Sequence, residues 1–242
     1  MHCYIINLAH DTERIAKIRA ALTAHDFVSE VRIDAVRGSR LPDVACQILT
    51  GKAESRQHKG TLGCSLSHAV AWEAIVHAGA ECSLILEDDA ELNGIEHLRD
   101  FRLPDNVDLV FCNQRMSYEK SGIDLLPLLP AFEYITRNGT GVGADGYLLS
   151  GDGARKLLAF YARDGFYSHV DLRLAAYSLT VAEMETLPQR QYVIRDICTL
   201  RRICDASHRL IARVLGTPVT RHLKGGVSSR SAEDQIILGW QA

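Results

Sequence analysis

Short, unbroken apolar runs separated by stretches of helical spacing set the rhythm of this chain. Residues 3–8 are apolar without alternation, which predicts a strand buried on both faces of a parallel sheet. Asp11 or Thr12 then caps a helix in which Ile15, Ile18, Ala21 and Leu22 recur at helical spacing among Glu13, Arg14, Lys17 and Arg19. Residues 31–36 alternate and read as a second strand, followed by a loop through Gly38 and Pro42; residues 46–59 read as a short helix and then a polar segment. From Gly60 to Gly79, positions 65, 68, 69, 72, 75, 76 and 79 follow the i, i+3, i+4, i+7 pattern. This predicts a long helix with His68 on the inward face beside Trp72, Ile75 and Val76, and with Gly79 as its C-cap. The run Ser83-Leu84-Ile85-Leu86 follows, a buried strand that stops abruptly at Glu87-Asp88-Asp89.

Beyond these acids the pattern loosens. Residues 92–105 look like loop, 107–113 like a short strand, 114–131 like a surface excursion, and 132–136 again like strand. Tyr147–Ser150 predicts a strand, and then a helix capped at Ser150 or Asp152 with Ala154, Leu157, Leu158 and Tyr161 on one face. Residues 181–187 and 191–194 suggest two short strands split by Pro188. From Ile197 a helical rhythm returns through Leu200, Cys204, Ile211 and Val214.

At 242 residues, 47% hydrophobic and 24% charged, the chain has the composition of an ordinary globular protein with a sizeable core. A net charge of −3 provides no global attraction to nucleic acid, but the charge is uneven. Residues 189–230 hold nine Lys or Arg against two acids, so the expected organisation is a domain over 1–195 and a basic helical segment over 196–242. Two readings stand for that segment: a packed helix with a solvated face, or a surface for anionic lipid or a phosphorylated glycolipid. Seven cysteines, none in a Cys-x-x-Cys pair, read as reduced core residues of a cytoplasmic protein without a zinc ribbon, with peripheral contact at the inner face of the membrane as the alternative location. No run approaches the ~18 apolar residues of a membrane span.

A strand that ends in carboxylates presents them at the carboxyl edge of a sheet, where open α/β folds bind ligands. Three adjacent acids repel one another, so a nearby cation or full solvation is expected. Oxygen ligands of this kind suit Mg2+ or Mn2+ shared with phosphate oxygens better than zinc. His68 is either a hydrogen-bonded core histidine or a participant in chemistry. The string Gly141-x-Gly143-x-x-Gly146 precedes its strand instead of following one, so it reads as a tight loop and not as a dinucleotide fingerprint.

Residues 60–68 with Trp72, and Leu84-Ile85-Leu86-Glu87-Asp88-Asp89-Ala90, resemble the paired motifs of glycosyltransferase family 25. Tyr4–Leu8 with Arg14, then Tyr147–Ser150 with Gly153, Ala154, Leu157 and Leu158, and then Val170-Asp171, are similar to its first and later blocks, so the likeness spans roughly residues 3–195. Thr61 departs from the glutamate common there. The resemblance implies a GT-A-like α/β fold with a Rossmann-like, mostly parallel central sheet flanked by helices. It also implies a lipooligosaccharide-type galactosyltransferase that moves galactose from UDP-galactose, with inversion, to a hydroxyl of a glycan or glycolipid. Glu87, Asp88 and Asp89 would hold Mn2+ (or Mg2+); Asn7, Leu8, Arg14 and Asp88 would meet the donor; Asp171 would be the base, with His68 as a second catalytic candidate and Asp145, Glu183 and Glu185 as rival bases. His222 and Lys224 would reach the diphosphate from a C-terminal loop. A nucleotidyltransferase of similar fold and a catalytically inactive glycan-binding module are the competing functions.

Overall fold

The computed structural model describes residues 1–25, 29–50, 59–112, 129–130, 143–166, 169–180, 182–183, 186, 209–214 and 220–222. The first three apolar runs become neighbouring strands. β1 (His2–Asn7) pairs in parallel with β2 (Glu30–Asp34) on one side and with β3 (Cys82–Glu87) on the other. Parallel pairing puts the carboxyl ends of β1 and β3 side by side, so Asn7 and the acids after Leu86 share one sheet edge.

The next strands reverse direction. β7 (Gly146–Ser150) is antiparallel to both β3 and β5 (Leu109–Phe111), and β8 (Ala212–Val214) lies parallel to β5. With β6 (Leu129–Pro130) the sheet has seven strands in the order β2-β1-β3-β7-β5-β8-β6. Three pairings are parallel and three antiparallel, so the α/β sheet is mixed where a mostly parallel one was expected. The apolar runs could not reveal this, because a strand covered on both faces reads the same in either direction.

Helices cover the faces. α1 (Thr12–Ala24) turns Ile15, Ile18 and Leu22 inward, and α3 (Lys59–Ala78) buries Leu62, Ser65, His68, Trp72 and Ile75. α2 (Asp43–Thr50) precedes α3. α4 (Gly151–Asp164) starts at Ser150, whose Oγ accepts the Gly153 amide at 2.9 Å, and α5 (Val170–Ser178) follows. One core layer gathers Trp72, Tyr147, Leu157, Tyr161 and Tyr177. The other gathers Ile5, Ile18, Leu84, Leu98 and Val110.

Several local expectations change. The stretch after the acids is not plain loop: Ala90–Leu92 forms β4, and a 3-10 turn at Ile95–Leu98 buries both of its apolar ends in the second core layer. Thr180 and Glu183 form a reciprocal capping box, the Thr180 amide donating to Glu183 Oε2 at 2.6 Å and the Glu183 amide to Thr180 Oγ1 at 3.1 Å. Residues 182–183 are therefore helical where a strand was read. The helical rhythm through Ile211 and Val214 also fails, because Ala212–Val214 is strand β8, tied in by Ile211 and Leu210 amides that donate to Asp108 and Tyr177. β9 (Thr220–His222) pairs antiparallel with β4. The readings for 114–128, 132–136, 191–194 and most of 196–242 lie outside the described residues.

Candidate active site at the carboxyl edge of the sheet

The acids at the end of β3 separate into two groups, Glu87 being the last residue of the strand and Asp88 and Asp89 lying in the turn that follows it. Asp88 and Asp89 face the β1–α1 loop. Asn7 Nδ2 donates to Asp88 Oδ2 at 2.7 Å, and Arg14 Nη1 lies 3.3 Å from Asp88 Oδ1 and 3.8 Å from Asp89 Oδ2. The Asn7 amide is held in one orientation, since its Oδ1 accepts from Arg32 Nε at 2.9 Å while Nδ2 also reaches the Asp11 carbonyl at 3.0 Å. Burial raises the Asp88 carboxyl above its ordinary value, and the opposing pull of Asn7 and Arg14 does not cancel that penalty.

Glu87 turns the other way, toward α3. Its Oε1 lies 3.1 Å from His68 Nε2 and 3.9 Å from Cys64 Sγ. His68 is wholly buried, and its Nδ1 is 2.8 Å from the Tyr147 hydroxyl, which also accepts the Trp72 indole N–H at 2.8 Å. Tight backbone packing sets the position of this helix. A Cβ at Gly63 would come within 2.6 Å of the Val36 carbonyl and the Gly38 amide, and Ser67 Oγ takes the Val36 amide at 2.8 Å while donating to the Gly63 carbonyl at 2.6 Å.

Of the residues expected at the site, Asn7, Arg14, Glu87, Asp88, Asp89 and His68 come together at one edge. Leu8 is partly buried beside them, its carbonyl accepting the Asp11 amide. Asp171 stands on a separate element, in the first turn of α5, where its Oδ1 accepts the Leu172 amide at 2.8 Å. Asp145 is buried against the edge, its carbonyl accepting the Glu87 amide at 3.0 Å. His222 is in a strand instead of a loop, its backbone in register opposite Ala90. Lys224 and Glu185 lie outside the described residues. Sequence reasoning missed Cys64, Arg32 and Tyr147. The Cys64/His68 spacing of four on a helix was visible, but the convergence on Glu87 needed the sheet.

As oxygen donors, Asp88 and Asp89 fit a Mg2+ or Mn2+ ion. Glu87 fits such an ion less well, because its carboxylate is engaged by His68.

Fold and edge together describe an α/β protein whose carboxyl edge carries an acidic pair clamped by an asparagine and an arginine. Residues 1–172 match the family described as "Glycosyltransferase family 25 (LPS biosynthesis protein)", and the chain belongs to that family. It is 28% identical over 172 residues to a "Glycosyltransferase 25 family member" of Anopheles gambiae, covering 65% of this chain and 28% of that protein. It is also 28% identical over 176 residues to "Inactive glycosyltransferase 25 family member 3" of Mus musculus, covering 64% of this chain and 28% of that protein. The chain thus spans under a third of the length of these relatives. Among solved structures it is similar to a "glycosyltransferase involved in the glycosylation of the major capsid of PBCV-1", with a TM-score of 0.40, 12% identity and coverage of 88% of this chain and 81% of that one. Among the described residues no helix is long and apolar enough to cross a membrane.

Proposed function

We propose that the chain is an inverting glycosyltransferase of GT-A-like design that transfers galactose from UDP-galactose to a hydroxyl of a lipooligosaccharide or related glycan. The observation that carries this reading is the clamped pair Asp88–Asp89 at the carboxyl edge, held by Asn7 at the end of β1 and Arg14 in the first turn of α1. Asp88 and Asp89 would hold Mn2+, which when bound supplies positive charge to the donor's diphosphate. Asn7 and Arg14 orient the two carboxylates. Asp171 is proposed as the base that takes the acceptor's proton.

An inactive, glycan-binding role is the second reading, favoured by the mouse relative's description as inactive. The decisive experiment is a panel of UDP-sugars with and without Mn2+, read by thermal shift and by UDP release. Metal-dependent stabilisation by UDP-galactose together with UDP release supports the transferase, and loss of both in Asp89→Ala is expected. Stabilisation without UDP release, with any acceptor glycan, favours the binding module. The absence of any metal-dependent response to nucleotide sugars overturns the transferase.

A further inference from the structure

We propose that Cys64, His68 and Glu87 form a second divalent-cation site, of the zinc class, separate from the Asp88–Asp89 pair. A cysteine and a histidine four residues apart on α3 lie on one face of the helix, and Glu87 comes to meet them from the end of β3. One sulfur, one imidazole nitrogen and one carboxylate oxygen all fall within 4.8 Å of one another. Tetrahedral zinc, with bonds of about 2.0–2.3 Å, separates its ligand atoms by about 3.3–3.6 Å. The 3.1 Å from Nε2 to Oε1 and 3.9 Å from Sγ to Oε1 bracket that range, so small side-chain shifts close the site.

The surroundings support the donor set. Tyr147, itself fixed by Trp72, engages His68 Nδ1 and so directs Nε2 toward Cys64 and Glu87; an outer partner that orients a ligating imidazole is a regular feature of zinc sites. His68 is fully buried, whereas the Glu87 side chain is 24% exposed and Cys64 is partly exposed, so an ion can enter from the solvent side. Three protein ligands leave a fourth position for water, the arrangement of an open site and not of a closed structural one. A mixed sulfur, nitrogen and oxygen set selects zinc, cobalt or nickel over Mg2+ or Mn2+, which prefer oxygen alone. On binding, the Cys64 thiol gives up its proton to solvent and the thiolate sulfur bonds the ion. The acid triplet is thereby divided, Glu87 serving one ion and Asp88 with Asp89 the other. This inference does not need the sugar donor to be correctly assigned.

The test uses the full chain, stripped with a chelator and titrated with Co2+. A thiolate-to-cobalt charge-transfer band in the near ultraviolet is expected, absent in Cys64→Ser and retained in Asp88→Asn/Asp89→Asn. Tyr147→Phe should weaken Co2+ affinity about 10- to 100-fold while keeping the band. As a measurement independent of any variant, alkylation of Cys64 by iodoacetamide in the native protein, mapped by mass spectrometry, should be suppressed by Zn2+. No band in the wild-type protein with excess Co2+, a band that survives in Cys64→Ser, or Cys64 alkylation unchanged by Zn2+ would each overturn the site. Manganese-dependent binding of UDP-sugars, read separately, reports on the Asp88–Asp89 pair and not on this one.

Discussion

Asn7 controls the acidic edge through both ends of one amide. Its Oδ1 accepts from Arg32 and its Nδ2 donates to Asp88, and the residue is almost completely buried. Replacing it leaves a part-buried guanidinium and a part-buried carboxylate each short of a partner, and such a loss costs about 1–3 kcal/mol. Asn7→Ala should therefore lower stability by that amount in urea unfolding and weaken Mn2+-dependent UDP-sugar binding, whereas Arg32→Lys, which keeps the charge, should have the smaller effect. The importance of Asn7 was only half legible in the sequence. Its place at the end of an apolar run marked it as an edge residue, but the partner Arg32 comes from a strand adjacent in space and not in sequence.

At the scale of the element, α3 was the most readable part of the chain. The inward positions His68, Trp72 and Ile75 follow directly from its period, and Gly79 ends it with φ +60°, a conformation suited to glycine. The depth at which the helix sits was not readable, because it depends on Gly63 meeting the backbone of Val36 and Gly38. Gly63→Ala should cost about 1–3 kcal/mol through overpacking, seen as a lower urea midpoint with an unchanged slope. A wild-type midpoint would show that the backbone gives way easily there. The strands are the opposite case: their existence was legible and their directions were not. β7 enters antiparallel between β3 and β5, and no feature of Tyr147–Ser150 announces it.

For the molecule as a whole, the division at residue 195 meets a sheet that draws β8 from beyond it. Without Ala212–Val214, β5 loses a parallel neighbour and the Asp108 carboxylate loses the Ile211 amide. A chain ending at residue 195 should lose cooperative unfolding, followed by circular dichroism against temperature; a sharp transition at the wild-type midpoint would show that residues 1–195 fold without β8. Alkali should act on the core in a defined direction. Burial, helped by Glu30, pushes the Cys3 thiol up to about 12, and burial pushes Cys82 up to about 11, from an ordinary value of 9.0. A pKa raised by folding contributes stability that is complete below about pH 9 and is lost as pH climbs toward the folded value. Thermal midpoints should fall between pH 9 and 11, and Cys3→Ala should flatten that fall.

The amino-acid sequence by itself determined where the apolar runs and helical faces lie, that His68 points inward, and that a buried strand ends in three acids, because each of these depends on neighbours within a few residues. Only the tertiary structure decided that the acids part company, with Glu87 turned to Cys64 and His68 and Asp88 held by Asn7 and Arg14. Only the tertiary structure, too, paired Thr220–His222 with the strand that follows the acids. These contacts join residues remote along the chain, and strand direction, register and helix depth, which bring them together, leave no periodic trace in a sequence.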